Sequence, residues 1–115
     1  MLEKPRFIQG LFNFDGRGLE RPTKLAPDVD YSVPRDKRAQ LVYLRAGNST
    51  DEMVYLVLSQ NDRPVRYFPI SAKGGMHVPL AIVEDLAPET RIGLSVGAPE
   101  GVRGTLLVDL GLVEI

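Results

Sequence analysis

The sequence predicts an all-β fold, an antiparallel β-sandwich of about seven strands, immunoglobulin-like or jelly-roll-like, with no clear helix. Short apolar runs rich in Val, Leu, Tyr and Phe recur along the chain, and such residues suit a pleated, packed surface. Gly, Asn, Asp, Ser and Pro separate the runs and turn the chain between them. The 9 prolines and 11 glycines among 115 residues also argue against long helices.

The first third of the chain predicts an edge strand and then a crossover. Residues 6–14 form the strand, in which Gly10 marks a candidate bulge, and a glycine-rich turn follows at 15–18. Residues 19–38 are polar, contain three prolines and show no helical period, which predicts a crossover or arm laid over the surface. The apolar residues that would anchor it are Leu25, Val29, Tyr31 and Val33.

Residues 40–70 predict three antiparallel strands in a meander, over which the rest of the sandwich closes. The connecting loops predict a register in which Leu44 faces Tyr55 and Tyr55 faces Phe68. Both faces of these strands are apolar, whereas the strands of a sheet with one solvent-exposed face alternate apolar and polar residues. One of these faces, the predicted interface, carries Val42, Leu44, Met53, Tyr55, Val57, Phe68 and Ile70.

Three further strands complete the prediction. Residues 77–83 form an edge or irregular strand because they contain Pro79, and residues 84–89 form a corner or one turn of helix. Residues 90–96 alternate cleanly, as a half-buried strand does. Residues 104–115 form a long last strand with one apolar face, and Leu107 and Val113 make its other face partly apolar. The shared face carries Leu106, Val108, Leu110 and Leu112.

The segment Leu86-Ala87-Pro88-Glu89-Thr90-Arg91-Ile92-Gly93-Leu94-Ser95-Val96 resembles the L-x-P-x-T-x-Y-x-V-x-V corner of fibronectin type III domains. Ile92 stands where that family has its corner tyrosine, and the chain has no tryptophan for the family's core position. The resemblance implies a sandwich of this general kind. It implies no function, because such folds host many functions.

Length and charge bound the class of protein. A chain of 115 residues suits a single domain, residues 1–115, with one core. A net charge of −1 gives no electrostatic basis for binding nucleic acid or an acidic membrane, and no apolar run approaches the ~20 residues of a membrane helix. The chain has no cysteine and begins MLEKPRFIQG, without the apolar stretch of a signal peptide, which favours the cytoplasm.

Few residues could carry chemistry, so we predict neither catalysis nor a cofactor. His77 is the only histidine, and neither a G-x-S-x-G motif nor a cysteine accompanies it. Two acidic pairs in loops could offer oxygens to calcium, but no spacing matches a calcium-binding loop, and we predict no metal. These pairs are Asp28 with Asp30 and Asp51 with Glu52. An enzyme built around His77 and nearby carboxylates is the least favoured reading.

Four aromatic residues, Tyr43, Tyr55, Tyr67 and Phe68, allow two interpretations. Aromatic rings on a sandwich face can stack on sugar rings, which would suit a carbohydrate or small-ligand binder. These rings lie among aliphatic residues rather than among Asp, Asn and Gln, which favours a place in a core or an interface. We therefore keep carbohydrate or small-ligand binding as the alternative function.

The two-sided apolar strands are the main functional clue. A single sandwich core covers only one face, and a large exposed apolar area is unusual for a monomer. The 19–38 arm or a second copy could cover the other face. We predict a homo-oligomer, a dimer, formed through one sheet face or the long last strand. The predicted function is a non-enzymatic binding and assembly module that docks on a larger complex as an accessory protein.

Overall fold

The computed structural model describes residues 3–25, 29–80 and 85–115, and within them the chain contains strands and no α-helix. The prediction of an all-β sandwich is confirmed. The strands are β1 (Lys4–Asp15), β2 (Gly18–Lys24), β3 (Tyr31–Ser32), β4 (Ala39–Asn48), β5 (Val54–Gln60), β6 (Arg63–Ile70), β7 (Gly75–Pro79), β8 (Asp85–Leu86), β9 (Arg91–Ala98) and β10 (Arg103–Glu114).

The long strands pair as one hairpin folded over on itself. β1 pairs with β10, β2 with β9, β4 with β7 and β5 with β6, all antiparallel. Folding this ribbon gives sheet A in the order β1-β10-β4-β7, with β8 also on β4, and sheet B in the order β2-β9-β5-β6, with β3 also on β9. This is the order of a jelly roll. An immunoglobulin order places the first two strands together, whereas β1 and β2 lie in different sheets.

The core lies between the two sheets and follows the alternation of the strands. Every second residue of β9 and β10 is buried, as the sequence predicts for both. Hydrophobic burial of these rows is the main favourable term in folding. The most buried large side chains include Leu41, Leu44, Leu56, Leu58, Ile70, Leu94, Leu106 and Leu110.

The predicted three-stranded meander is wrong in its first connection. β5 and β6 form a hairpin, but β4 lies in the other sheet, between β10 and β7. The 49–53 segment therefore crosses from one sheet to the other instead of turning a hairpin. The register also differs by one residue: Phe68 pairs with Leu56, and Tyr55 pairs with Pro69. A shift of one residue exchanges the two faces of a strand, so the predicted faces change with it.

The first and last strands differ from their predictions in smaller ways. β1 is an edge strand, as predicted, but Gly10 pairs with Val108 in an unbroken register and forms no bulge. β10 is an interior strand between β1 and β4, so it has no free edge for a second copy.

The described part of segment 19–38 extends sheet B along the edge of β9. β2 and β3 both pair with β9. Val29 and Val33 are buried in the core, and Leu25 and Tyr31 pack against it, so these residues anchor the segment as predicted. The segment therefore lengthens the sheet, and residues 26–28, which include Asp28, lie outside the described residues.

At one end of the sandwich, the buried side chain of Asn48 connects the two sheets. Asn48 lies at the point where the chain leaves sheet A. Its amide nitrogen is 2.8 Å from the carbonyl oxygen of Glu52 and 3.1 Å from that of Ser71. Its amide oxygen accepts hydrogen bonds from the backbone and the hydroxyl of Thr50, at 3.0 and 2.9 Å. Asn48 thus ties the end of β4 to the crossing loop and to the end of β6.

At the other end of the sandwich, the two sheets are connected by Glu114, which is 2% exposed. Its Oε2 accepts hydrogen bonds from the hydroxyl of Tyr31, in sheet B, and from Nε of Arg6, the latter at 3.3 Å. Its Oε1 is buried and has no hydrogen-bond partner among the described residues. The hydrogen bond from Tyr31 lowers the pKa of Glu114, against the raising effect of burial, and Arg6 lowers it further.

Candidate interaction surface

The outer face of sheet A carries an exposed apolar row. Direct partners on antiparallel strands share a face, so the register places Leu11, Leu107, Gly47 and Gly75 side by side across four strands. Leu11 is 71% exposed and Leu107 is 47% exposed. The two glycines continue the row without side chains, so the leucines stand above the sheet on its β1 side.

The leucine pair separates two shallow depressions. One, of about 390 Å³, extends over Gly47 and Gly75 to Lys73. The other, of about 270 Å³, lies towards Gln9 and Asp109. Both are lined by Leu11 and Leu107. An apolar ridge between two open hollows is suited to contact with a larger surface more than to enclosing a small molecule.

A polar row follows along the same face. Gln9, Asp109, Arg45 and His77 are direct neighbours across the four strands. Asp109 Oδ1 accepts hydrogen bonds from Gln9 Nε2 at 3.0 Å and from the Tyr43 hydroxyl at 2.8 Å. The carboxylate of Asp109 is therefore held near the sheet, next to the exposed leucines.

The next row combines a packed tyrosine with an exposed phenylalanine. Phe7, Gly111, Tyr43 and Pro79 are neighbours, and a β-carbon at Gly111 would come within 2.2 Å of the Tyr43 ring. Burial, and then the hydrogen bond to Asp109, raise the pKa of Tyr43. Phe7 is 57% exposed. We call Phe7, Leu11 and Leu107 the β1 patch.

The outer face of sheet B has its own packed tyrosine. Tyr55 lies over Gly97, where a β-carbon would be 2.2 Å from its ring, and its hydroxyl donates to the backbone carbonyl of Leu19. Tyr55 also contacts Tyr67, with ring centroids 5.9 Å apart. Tyr67 lies on the edge strand β6 and is 62% exposed.

A small polar cavity of about 140 Å³ lies on the same side of sheet B. Two ion pairs line it: Lys24 with Asp30, at 2.9 Å, and Arg91 with Asp62. Asp30 Oδ1 is buried and has no hydrogen-bond partner among the described residues. The cavity is much smaller than the ~300 Å³ at which drug-sized pockets begin.

The structure does not bring the seven predicted interface residues together on one exposed face. Leu44, Phe68 and Ile70 belong to the core. Met53 is exposed in the crossing loop, and Val42 is half-buried in β4 of sheet A. Tyr55 and Val57 lie on the outer face of sheet B, where Val57 is buried beside Tyr67 and Ser95. The predicted face fails because β4 and β5 belong to different sheets.

The other candidate residues are dispersed. His77 is exposed on β7, in an edge-on contact with the Tyr43 ring at 5.9 Å between centroids. Asp51 and Glu52 are exposed in the crossing loop, and Lys73 lies 3.8 Å from Asp51. Within residues 3–25, 29–80 and 85–115, no group of three or more His, Asp or Glu side chains is placed to hold a metal ion. The described residues contain no helix long and apolar enough to cross a membrane.

Sequence reasoning missed the β1 patch, although a signal for it exists. Residues 7–8, 11–12 and 106–107 are adjacent apolar pairs. Adjacent residues of a strand point to opposite faces, so each pair places one apolar side chain on the core side and one on the outer face. The exposed members of these pairs are Phe7, Leu11 and Leu107.

No protein-family model matches the chain, and no curated protein matches it. Among solved structures it is similar to a chain in a structure of infectious bursal disease virus, strain Gx, with 14% identity and a TM-score of 0.48 over 99% of this chain and 32% of that one. It is also similar to an exo-β-1,3-galactanase from Phanerochaete chrysosporium, with 12% identity and a TM-score of 0.42 over 100% of this chain and 30% of that one.

The chain therefore spans about a third of the length of each of these proteins. Their identities and TM-scores are too low to transfer a function. What the protein does must be argued from its own surface.

Proposed function

We propose that the protein is a non-enzymatic binding and assembly module of the cytoplasm that self-associates, as a dimer, through the side of sheet A that carries β1. The observation that carries the proposal is the β1 patch: three large apolar side chains exposed on neighbouring strands of one face. Grouped exposed apolar residues mark interaction sites more often than scattered ones do. The polar row of Gln9, Asp109 and Arg45 lies between Phe7 and the two leucines, so it would supply polar contacts within the interface.

The proposal is tested by the solution mass across a dilution series. We expect light scattering to give twice the 12.7 kDa of one chain at micromolar concentration. Leu11→Lys should weaken the association by about ten- to a hundredfold, because burying a leucine is worth about 1.5–3 kcal/mol. The variant should stay folded, since Leu11 is exposed in the monomer.

Tyr67→Lys is the matched control. It places the same charge at a comparably exposed position on an edge strand of the other sheet. We expect it to leave the mass unchanged. A wild-type chain that is monomeric throughout the series would contradict self-association, and equal effects of the two variants would contradict the assignment to sheet A.

The same patch would serve an accessory role on a larger complex. A larger partner would meet the patch of the dimer at its rim or displace the second copy. In both cases Leu11→Lys should reduce capture of the partner and Tyr67→Lys should not. Equal capture by both variants would contradict binding of the larger partner through the β1 patch.

The alternative is a small-ligand or carbohydrate binder, which the polar cavity of sheet B favours. Its lining offers charges of both signs and the hydroxyls of Ser59 and Ser95, which suit a small polyhydroxylated molecule. Ligand-observed NMR with a panel of monosaccharides would detect binding, and Asp30→Asn should weaken it. If no sugar binds at millimolar concentration, carbohydrate binding by this cavity is wrong.

A further inference from the structure

Apart from the two-residue strands β3 and β8, the described part of the two sheets has four edge strands, which differ in how well they are protected against pairing with another strand. An edge strand presents unpaired backbone N–H and C=O groups, and proteins guard such edges with prolines, charges, bulges or short length. β1, β7, β2 and β6 are the ends of the two four-strand paths.

Three of the edges are protected. β7 has five residues and ends at Pro79. β2 contains Pro22, and its pairing with β9 is interrupted between Gly18 and Thr23. β6 contains Pro64 and Pro69 and has a bulge opposite Leu58 and Ser59. None of these three offers a long regular ladder.

β1 is the exception. It has 12 residues, its register with β10 is continuous from Lys4 to Asp15, and its one proline is at its second residue. Among the described residues no strand pairs with its outer edge. The longest and most regular edge is therefore the least protected, and it carries two residues of the β1 patch.

We propose that a second copy of the chain pairs antiparallel with β1, about a two-fold axis at Gln9, and joins the two A sheets into one continuous sheet. This inference rests on the proposed self-association and adds its geometry. The same edge meets itself, as the commonest dimer symmetry requires. The outer faces of the two sheets then become one surface.

The side-chain pattern of β1 selects this register. A two-fold axis at Gln9 places Phe7 of each copy directly opposite Leu11 of the other, so exposed apolar residues pair twice on the outer face. On the inner face it places Ile8 opposite Gly10. Moving the axis to Gly10 would pair Phe7 with Asn13 instead. The hydrophobic pattern sets strand register, and here it favours Gln9.

The dimensions of the molecule suit a stable contact. A 12-residue strand is about 40 Å long, so β1 must lie along the 47 Å dimension rather than the 23 or 21 Å ones. The pairing can therefore run along the long dimension of the molecule.

Cysteine cross-linking tests the pairing, because the chain has no cysteine of its own. Gln9→Cys places two thiols opposite each other at the axis, at a separation that a disulfide can span. Asn13→Cys is the matched control: Asn13 is exposed on the same face, and its side chain also bonds to a polar side chain of β10. The two Asn13 positions would lie about 27 Å apart.

Under mild oxidation we expect Gln9→Cys to give at least about ten times as much covalent dimer as Asn13→Cys, since only the former meets disulfide geometry. Equal cross-linking by the two variants would overturn the pairing. If light scattering shows a dimer and Gln9→Cys does not cross-link, edge pairing is wrong while self-association stands. If the wild-type chain is monomeric throughout, both proposals fail.

Amide hydrogen exchange of the wild-type chain gives a second test that needs no variant. In the monomer, amides of β1 that point away from β10 lack a strand partner and should exchange fast. Edge pairing should protect them at high concentration and release them on dilution. Protection only of alternate amides in a proven dimer would indicate face-to-face packing and overturn edge pairing.

Discussion

The two ends of the sandwich are each joined by one buried polar side chain, but the two use opposite chemistry. At one end Asn48 is neutral, and both its amide oxygen and its amide nitrogen have partners. At the other end Glu114 is held as a carboxylate by Tyr31 and Arg6, and one of its oxygens has no partner among the described residues. The register with β10 places them at opposite ends of β4, since Asn48 pairs with Leu106 and Ala39 with Glu114.

The two residues connect the sheets in two different ways, one independent of pH and one dependent on it. A neutral amide can satisfy backbone groups of a crossing loop at any pH. A buried carboxylate depends on its charge, and burial costs free energy unless donors compensate. The Asn48 end should therefore contribute a larger, constant stability, and the Glu114 end a smaller one that changes with pH.

The largest expected effect comes from Asn48→Ala. The substitution removes the donor to the carbonyls of Glu52 and Ser71 and leaves buried polar groups of the crossing loop without partners. We expect the free energy of unfolding to fall by about 3 kcal/mol, since each buried group left unpaired costs roughly 1–3 kcal/mol. Urea unfolding at pH 5 and pH 7 should show the same loss.

Asn13→Ala is the control for this substitution. Asn13 is exposed, and its side-chain oxygen accepts one hydrogen bond from Thr105. Its loss should cost less than about 0.5 kcal/mol. If Asn48→Ala costs no more than Asn13→Ala, the crossing loop does not depend on Asn48 and the comparison of the two ends is wrong.

The crossing that Asn48 supports also explains where sequence reasoning failed. The positions of β5, β6, β9 and β10 follow from apolar runs and turn residues, and the jelly-roll order was one of two predicted alternatives. The 49–53 segment has a length that serves a hairpin and a sheet crossing equally well. Tertiary contacts such as those of Asn48 decide between them. The predicted interface failed with that connection and with the one-residue register shift between β5 and β6.

A smaller, pH-dependent effect is expected for Glu114→Gln. The variant keeps the shape of the side chain but loses its charge, so Tyr31 and Arg6 no longer bond to a carboxylate. Because the folded protein lowers the pKa of Glu114 below its ordinary 4.5, its contribution is present above that pH and is lost as the pH falls through the lower folded value. We expect a loss of about 1–2 kcal/mol at pH 7 that shrinks as the pH falls below 4.5.

Thermal or urea unfolding from pH 2.5 to pH 7 measures this difference. Asp85→Asn is the control, because Asp85 forms an exposed ion pair with Arg38 and such pairs contribute about 0–1 kcal/mol. A constant difference between wild type and Glu114→Gln across the whole range would show that the charge of Glu114 does not stabilise this end.

Glu114 could have been anticipated from the sequence, unlike the sheet crossing. It continues the alternation of Leu106, Val108, Leu110 and Leu112, so the strand period alone places it on the buried face. Its partner Tyr31 could not be anticipated, because the two residues are 83 positions apart in the chain and no local signal indicates their contact. A similar limit applies to the β1 patch: alternation indicates which residues are exposed, and the sequence predicts the edge position of β1, but only the sheet order places Leu107 of β10 beside Leu11.

The smallest expected effect is that of Tyr31→Phe, which removes one hydrogen bond and leaves the carboxylate of Glu114 in place. We expect a loss of about 1 kcal/mol at pH 7 and a rise in the pKa of Glu114, since the bond from Tyr31 is the largest cause that lowers it while the effect of burial remains. A carbon-detected NMR titration of the Glu114 carboxyl measures that rise directly. Tyr67→Phe, which alters an exposed ring with no contact to Glu114, should leave the titration unchanged. A Glu114 pKa that does not move in Tyr31→Phe would mean that Arg6 alone holds the charge, and that the link between the two sheets at this end is one of packing.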